Sequence, residues 1–247
     1  MVRTSHYFLF LLAASLPAST WARNYIVGVE NTSVLPIGDA SNDQYIGYGR
    51  DLLDAFAKKY GHIFTYKAYP GKRLWNEYLV TQSVDFRFPD NQVWAKDLKH
   101  KLPISYSSGV ITMTDGLMVK PANKGLDIER IKRISMVRGF SPSAYQQRIE
   151  AGKIEVNEVS SVGAAIGMVV AGRVDAAYVN IQSATYMINE ILGKPGMAAY
   201  DDSLPHTHIE RSLSSINHPE VIKQLNDFLA TEKAILAKLK TKYRIAE

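Results

Sequence analysis

An α/β chain of two lobes, each a wound, mostly parallel sheet with flanking helices, is what this sequence predicts, and three observations lead to it. Residues 174–180 (VDAAYVN) place Val174, Ala176, Tyr178 and Asn180 on one face and Ala177 and Val179 on the other. That is the pattern of a short strand covered on both sides. The run ends at a polar residue, Asn180, where a helical pattern (181–192) begins. Residues 84–91 (VDFRFPDN) repeat this phrase in the first half of the chain. Ligands of open α/β sheets sit outside the carboxyl ends of the strands, so two such ends suggest two lobes facing one cleft.

In chain order, residues 25–29 (YIVGV) read as the first strand and lead into a polar, glycine-containing loop over 30–49. Leu52, Leu53, Ala55, Phe56 and Tyr60 share a helix face, and Gly61 supplies its stop. A strand over 63–68, a helix marked by Leu74, Trp75, Tyr78 and Leu79, and a strand over 83–88 follow, with Trp75 and Tyr78 assigned to the core. Strand and helix alternate, which implies a parallel sheet with right-handed crossovers. Residues 110–119 (VITMTDGLMV) read as a strand crossing between lobes.

A second series begins with a strand at 134–137 and a helix capped by Ser141, with Pro142 at its first position. A strand over 154–159 precedes a helix that Ser161 caps and Gly172 ends, with Val162, Ala165, Ile166, Val169 and Val170 on one face. Residues 208–214 are expected to return across the cleft, and 219–243 to pack as helix on the first lobe. The domain reading is therefore lobe one over 23–112 with 206–247, and lobe two over 113–205.

Composition sets the class. The chain has 247 residues, 46% of them hydrophobic and 21% charged, as in soluble globular proteins. Arg3, the apolar run 7–14 (YFLFLLAA) and the small residues at 20 and 22 make 1–22 read as a signal peptide, too short in its apolar part to span a bilayer. There is no cysteine, so no disulfide and no acylation site for a lipid tether. The expectation is a periplasmic monomer that is not membrane-anchored. Net charge is +5, and the cations are scattered, which argues against nucleic acid as a partner.

Four stretches, in this order behind the signal peptide, carry a resemblance. They are 47–61 (GYGRDLLDAFAKKYG, against G-f-x-x-D-L-x-x-a-x-a-k-x-x-G), the pair Val84-Asp85, 104–107 (ISYS, against F-S-x-P-Y) and 172–177 (GRVDAA). Over nearly the whole mature chain this resembles the family-3 extracellular solute-binding proteins, periplasmic receptors of amino-acid and related ABC transporters. The resemblance implies the type II periplasmic binding protein fold and closure of two lobes on a ligand. It also implies a T-x-x-R motif that holds an α-carboxylate and an aspartate that takes the ammonium. Here the first falls on 93–96 (VWAK), with Lys96 in the arginine's place, and the second on Asn180. Lysine lacks the planar fork and asparagine the charge, so both departures argue against an ordinary α-amino acid.

Two loops carry the candidate chemistry. The turn 87–96 (RFPDNQVWAK) offers Arg87, Asn91, Trp94 and Lys96, with a surface Arg87–Asp90 pair and a core Trp94 as the plain alternative. The turn 138–145 (RGFSPSAY) offers Arg138, Phe140, Ser141 and Tyr145 around a helix N-terminus whose free N–H groups suit an anion. Glu30 and Asn180 complete the expected ligand set. His206, His208 and Glu210 alternate as metal ligands can, but without a fourth ligand they read as a solvated strand. Residues 139–143 (GFSPS) are not G-x-S-x-G, and neither H-E-x-x-H nor a phosphate loop occurs, so no cofactor, metal or catalytic residue is expected.

The resulting expectation is a solute-binding protein, not an enzyme. It would capture a small polar ligand bearing an anionic group, close by a hinge and present it to a membrane permease. Two rivals remain: a receptor feeding a sensor kinase, and a dehydratase-like enzyme using Glu30 or Asp90 as an acid of raised pKa.

Overall fold

The computed structural model describes residues 23–42, 44–140 and 142–245; the expected signal peptide and Ser141 lie outside them. The first half contains β1 (Arg23–Glu30), β2 (Ser33–Val34), β3 (Gly38–Asp39), α1 (Tyr48–Tyr60), β4 (His62–Tyr69), α2 (Gly71–Leu79), β5 (Phe86–Asp90) and β6 (Ser105–Tyr106). Then come β7 (Ile111–Val119), β8 (Arg133–Val137), α3 (Gln146–Glu150), β9 (Glu155–Val159), α4 (Val162–Val170), β10 (Ala176–Asn180), α5 (Ile181–Tyr186) and β11 (Ala199–Tyr200). Strand β12 (Thr207–Ser215) and helices α6 (Pro219–Thr231) and α7 (Lys233–Lys242) complete the chain. None of the described helices is long and apolar enough to cross a membrane.

Hydrogen bonding follows one path, β4-β1-β5-β12-β7-β10-β8-β9, with β6 attached to β12 and β11 to β7. Parallel pairs occupy the two ends: β4-β1-β5 in the first half and β10-β8-β9 in the second. Between them β7 and β12 run antiparallel from Ile111↔Arg211 to Asp115↔Thr207. Beyond Asp115, β7 pairs with β10, and beyond Arg211, β12 pairs with β5 across an irregular register. These two strands thus belong to both halves.

Each half has its own core. In the first, Leu52, Leu53 and Phe56 of α1 pack on Val27, Val29, Phe86 and Phe88 of the sheet, together with Leu225 and Phe228 of α6. The C-terminal helices therefore return to the first half, as the sequence predicts. In the second, Ala165, Ile166 and Val169 of α4 meet Ala177 and Val179 on one face of β10, while Ala176 and Tyr178 pack on Ile134 and Leu117 on the other. Both faces of β10 are buried, which is why its sequence is apolar on both sides up to Asn180. Loss of a core ring such as Phe56 costs about 3–5 kcal/mol in comparable sites.

Local punctuation is largely where the residues place it. Gly61 takes the left-handed conformation at φ 72, and its N–H bonds the Ala57 carbonyl to close α1. The α4 start is capped by the Ser161 hydroxyl, which accepts from the Ala164 N–H. Gly47 opens α1 at φ 116, where a Cβ would lie 2.8 Å from Gly38 Cα. That close approach seats the β2–β3 hairpin, unforeseen in the loop over 30–49, on the mouth of the first half.

Several elements differ from expectation; the strand expected over 83–88, for one, runs from Phe86 to Asp90. The helix expected at Ser141 is only a 3-10 turn at Ser143–Tyr145 followed by the five residues of α3. Pro142 sits at ψ 63 and so flanks the turn instead of starting a helix. The helix expected over 181–192 is α-helical only to Tyr186 and then widens into a π-turn over Met187–Ile191. The strand expected from Val174 begins at Ala176.

Burial pushes several phenols upward. Tyr48 and Tyr178 are raised to about 12, and Tyr45, Tyr66, Tyr78 and Tyr145 are raised further. A folded pKa above the unfolded value of 10.0 means their contribution is intact below pH 10 and is lost as pH rises through the folded value. Phenolate absorbance in an alkaline titration is therefore expected to rise in a late step that coincides with loss of circular dichroism; smooth titration near pH 10 would contradict this.

Candidate functional site

Strands β1, β5, β8 and β10 all end at one cavity of about 570 Å³, lined by residues of both halves and of the crossing strands. The first half supplies Val29, Glu30, Tyr45, Trp75, Arg87, Pro89 and Trp94. The second supplies Gly139, Phe140, Ser143, Tyr178 and Asn180, and the crossing strands add Met113, Asp115, Ile209 and Arg211.

Its charged lining is two arginines, each paired with a carboxylate. Arg87 is 1% exposed; its Nη2 donates to Glu30 Oε1 at 2.8 Å, and its plane lies 3.7 Å from the Trp75 ring centre. Its Nε and Nη1 have no hydrogen-bond partner among the described residues. Arg211, also buried, donates from Nη2 to Asp115 Oδ2 at 3.3 Å and stacks on Trp94 at 4.3 Å. Burial lowers its pKa while Asp115 opposes the shift, and a guanidinium stays charged regardless.

Behind Arg87 lies a polar anchor. Asp90, wholly buried, accepts from Lys99 Nζ at 2.8 Å, from the Ser214 hydroxyl at 2.6 Å and from the Asn91 N–H at 2.8 Å. Arg87 Nε is 3.9 Å from the same carboxylate. Lys99 also donates to the Asn91 carbonyl at 2.6 Å; burial lowers its pKa, and Asp90 opposes that. The Asn91 side chain accepts from the Val93 and Trp94 N–H groups, a side-chain turn that folds the loop back and sets the indole under Arg211.

Of the residues singled out from sequence, Glu30, Arg87, Trp94, Phe140 and Asn180 line the cavity. Asn91 does not; it is spent on shaping the loop. Lys96 is exposed beside the cavity and not among its lining residues, because the turn at Ala95, φ 47, directs the chain outward. Arg138 faces solvent and pairs with Glu158 at 3.3 Å. Tyr145 is a core residue, its hydroxyl donating to the Pro205 carbonyl at 2.6 Å. Asn180 is largely engaged: Nδ2 donates to the Thr114 carbonyl and Asp115 Oδ1, and Oδ1 accepts from the Ser183 N–H to cap α5.

The plain alternative of a surface Arg87–Asp90 pair is overturned, since both residues are buried. Trp75, assigned to the core, packs half-buried against Tyr78, Leu79 and Val84, and its ring also forms the face on which Arg87 lies. Sequence reading missed Asp115 and Arg211. Asp115 is the one charge inside the largely apolar β7, a signal that could have found it, whereas Arg211 sits in the polar run of β12 (THIERSLSS) and has none. The two histidines are engaged locally, His206 with the Leu204 carbonyl and His208 with Thr114 Oγ1. No group of three metal-ligating side chains occurs among the described residues.

No protein-family model matches the chain, and no curated protein matches it. Solved structures do. An ancestral amino-acid-binding protein described as a precursor of cyclohexadienyl dehydratase is 20% identical, with TM-score 0.66 over 89% of this chain and 94% of its own. A periplasmic binding protein of an arginine transport system from Legionella pneumophila is 17% identical, with TM-score 0.64 over 90% and 100%. A histidine kinase sensor domain similar to periplasmic binding proteins is 14% identical, with TM-score 0.67 over 90% and 96%. At these identities the likeness shows the fold: a two-lobed periplasmic binding protein architecture.

Proposed function

We propose that this chain is a periplasmic solute-binding protein that captures a small polar ligand bearing an anionic group and hands it to an ABC-type transporter. The observation that carries this reading is Arg87, a buried guanidinium on the cavity wall whose Nη1 and Nε make no hydrogen bond among the described residues, Nε lying 3.9 Å from Asp90. An unmade hydrogen bond in a buried group costs about 1–3 kcal/mol, more for a charged one, and a ligand oxyanion would recover it. A volume near 570 Å³ suits a small molecule. The shared strands β7 and β12 supply the hinge about which the lobes, 23–112 with 206–247 and 113–205, close.

Titration calorimetry of the mature protein with small carboxylic acids and with neutral sugars tests the proposal. Heat of binding with acids supports it, and binding of uncharged sugars alone ends it.

The similar sensor domain supports a second reading, in which the closed form signals to a kinase. An enzymatic reading draws less support, because the cavity carboxylates Glu30 and Asp115 are each paired to an arginine.

A further inference from the structure

We infer that Arg211, with Asp115 and Trp94, forms a second anion subsite on the crossing strands, so that the ligand is a diacid whose acidic groups are joined by a short apolar or flat body. This inference rests on the receptor reading and narrows its ligand.

The same construction occurs twice around one cavity. At Arg87, Glu30 fixes one nitrogen of the fork and Trp75 fixes its plane. At Arg211, Asp115 and Trp94 do the same from the opposite end of the β5–β12 pairing. Each leaves N–H groups unpartnered among the described residues: Nε and Nη1 of Arg87, and Nη1 of Arg211. An arginine placed only for structure has its donors filled, since buried unfilled donors are costly. A guanidinium held by one edge and one face, with donors to spare, is preorganised for an oxyanion.

The acceptor side supports a diacid over an α-amino acid. Asp115 is engaged through both oxygens, by Asn180 and by Arg211. Asn180, where the resemblance puts the ammonium partner, has its oxygen committed to the α5 cap. An ammonium beside Asn180 would find both Asp115 oxygens already engaged, whereas each arginine keeps an N–H group unpartnered among the described residues. Met113, Phe140 and Ile209 line the same cavity and suit an apolar connector.

Calorimetry with matched pairs tests the inference: glutarate against valerate, phthalate against benzoate, and glutamate against glutarate. The diacid of the better-bound pair is expected to bind at least about tenfold tighter than its monoacid, the effect of one charge-assisted contact. In Arg211→Gln that ratio should collapse to below about threefold. Because this change strands Asp115, the double variant Arg211→Gln with Asp115→Asn is measured beside it and should show the same collapse if folded. Equal affinities within the wild-type pairs, or glutamate binding tighter than glutarate, would overturn the inference and leave the receptor reading standing. Failure of every acid while a neutral sugar binds would overturn both.

Discussion

Alanine in place of Asp90 is expected to lower the unfolding free energy by about 3–5 kcal/mol, the cost of breaking a buried ion pair from one side. The wild-type carboxylate is wholly buried and accepts from Lys99, Ser214 and the Asn91 N–H, with Arg87 Nε 3.9 Å away. Its removal leaves Lys99 and Arg87 as buried cations without their common counter-charge, and water cannot replace it without opening the loop. Urea unfolding measures the loss. A double variant, Asp90→Ala with Lys99→Met, should be more stable than the single one, because a stranded charge is worse than none. A single-variant cost below about 1 kcal/mol would show that the anchor does not hold the loop that carries Trp94.

Arg87→Met is expected to separate binding from folding. Its partner Glu30 keeps 39% of its side chain exposed, and Asp90, 3.9 Å away, still accepts from Lys99, Ser214 and the Asn91 N–H, so the fold should lose less than in Asp90→Ala. Ligand affinity, by contrast, should fall by about 100-fold or more for whichever carboxylic acid binds the wild type best. Truncating one member of a desolvated charge pair costs about 2–5 kcal/mol, and each 1.4 kcal/mol is about tenfold. Arg87→Lys should retain part of that affinity, since an ammonium keeps the charge but neither the fork nor the flat stacking face. Unfolding curves and calorimetry on the same preparations give both quantities. Unchanged affinity in Arg87→Met would remove the observation on which the proposed function stands.

Much of this architecture was legible because its cues are local. Gly61 ends a helix by left-handed backbone geometry, Ser161 begins one with its hydroxyl, and residues 176–179 (AAYV) run apolar because both faces are covered. The site was less legible, since a polar side chain at a strand tip has two uses that look alike in sequence. Asn91 and Asn180 stand where a ligand residue would stand, yet each oxygen is spent on nearby N–H groups. Arg138 is spent on a surface pair with Glu158, and Tyr145, in the 3-10 turn before α3, on the Pro205 carbonyl. Asp115 and Arg211 acquire meaning only through the pairing of β7 with β12, a contact between residues 96 apart in sequence. No local pattern encodes that register.

Small-angle X-ray scattering tests the central claim most directly: that distant polar groups share one gap and draw the two lobes together on a small acid. The mature protein would be measured alone and with a saturating amount of the carboxylic acid that binds tightest in calorimetry. Closure about β7 and β12 predicts a smaller radius of gyration and a shorter maximum dimension with the acid bound. Identical curves at full occupancy would contradict the account.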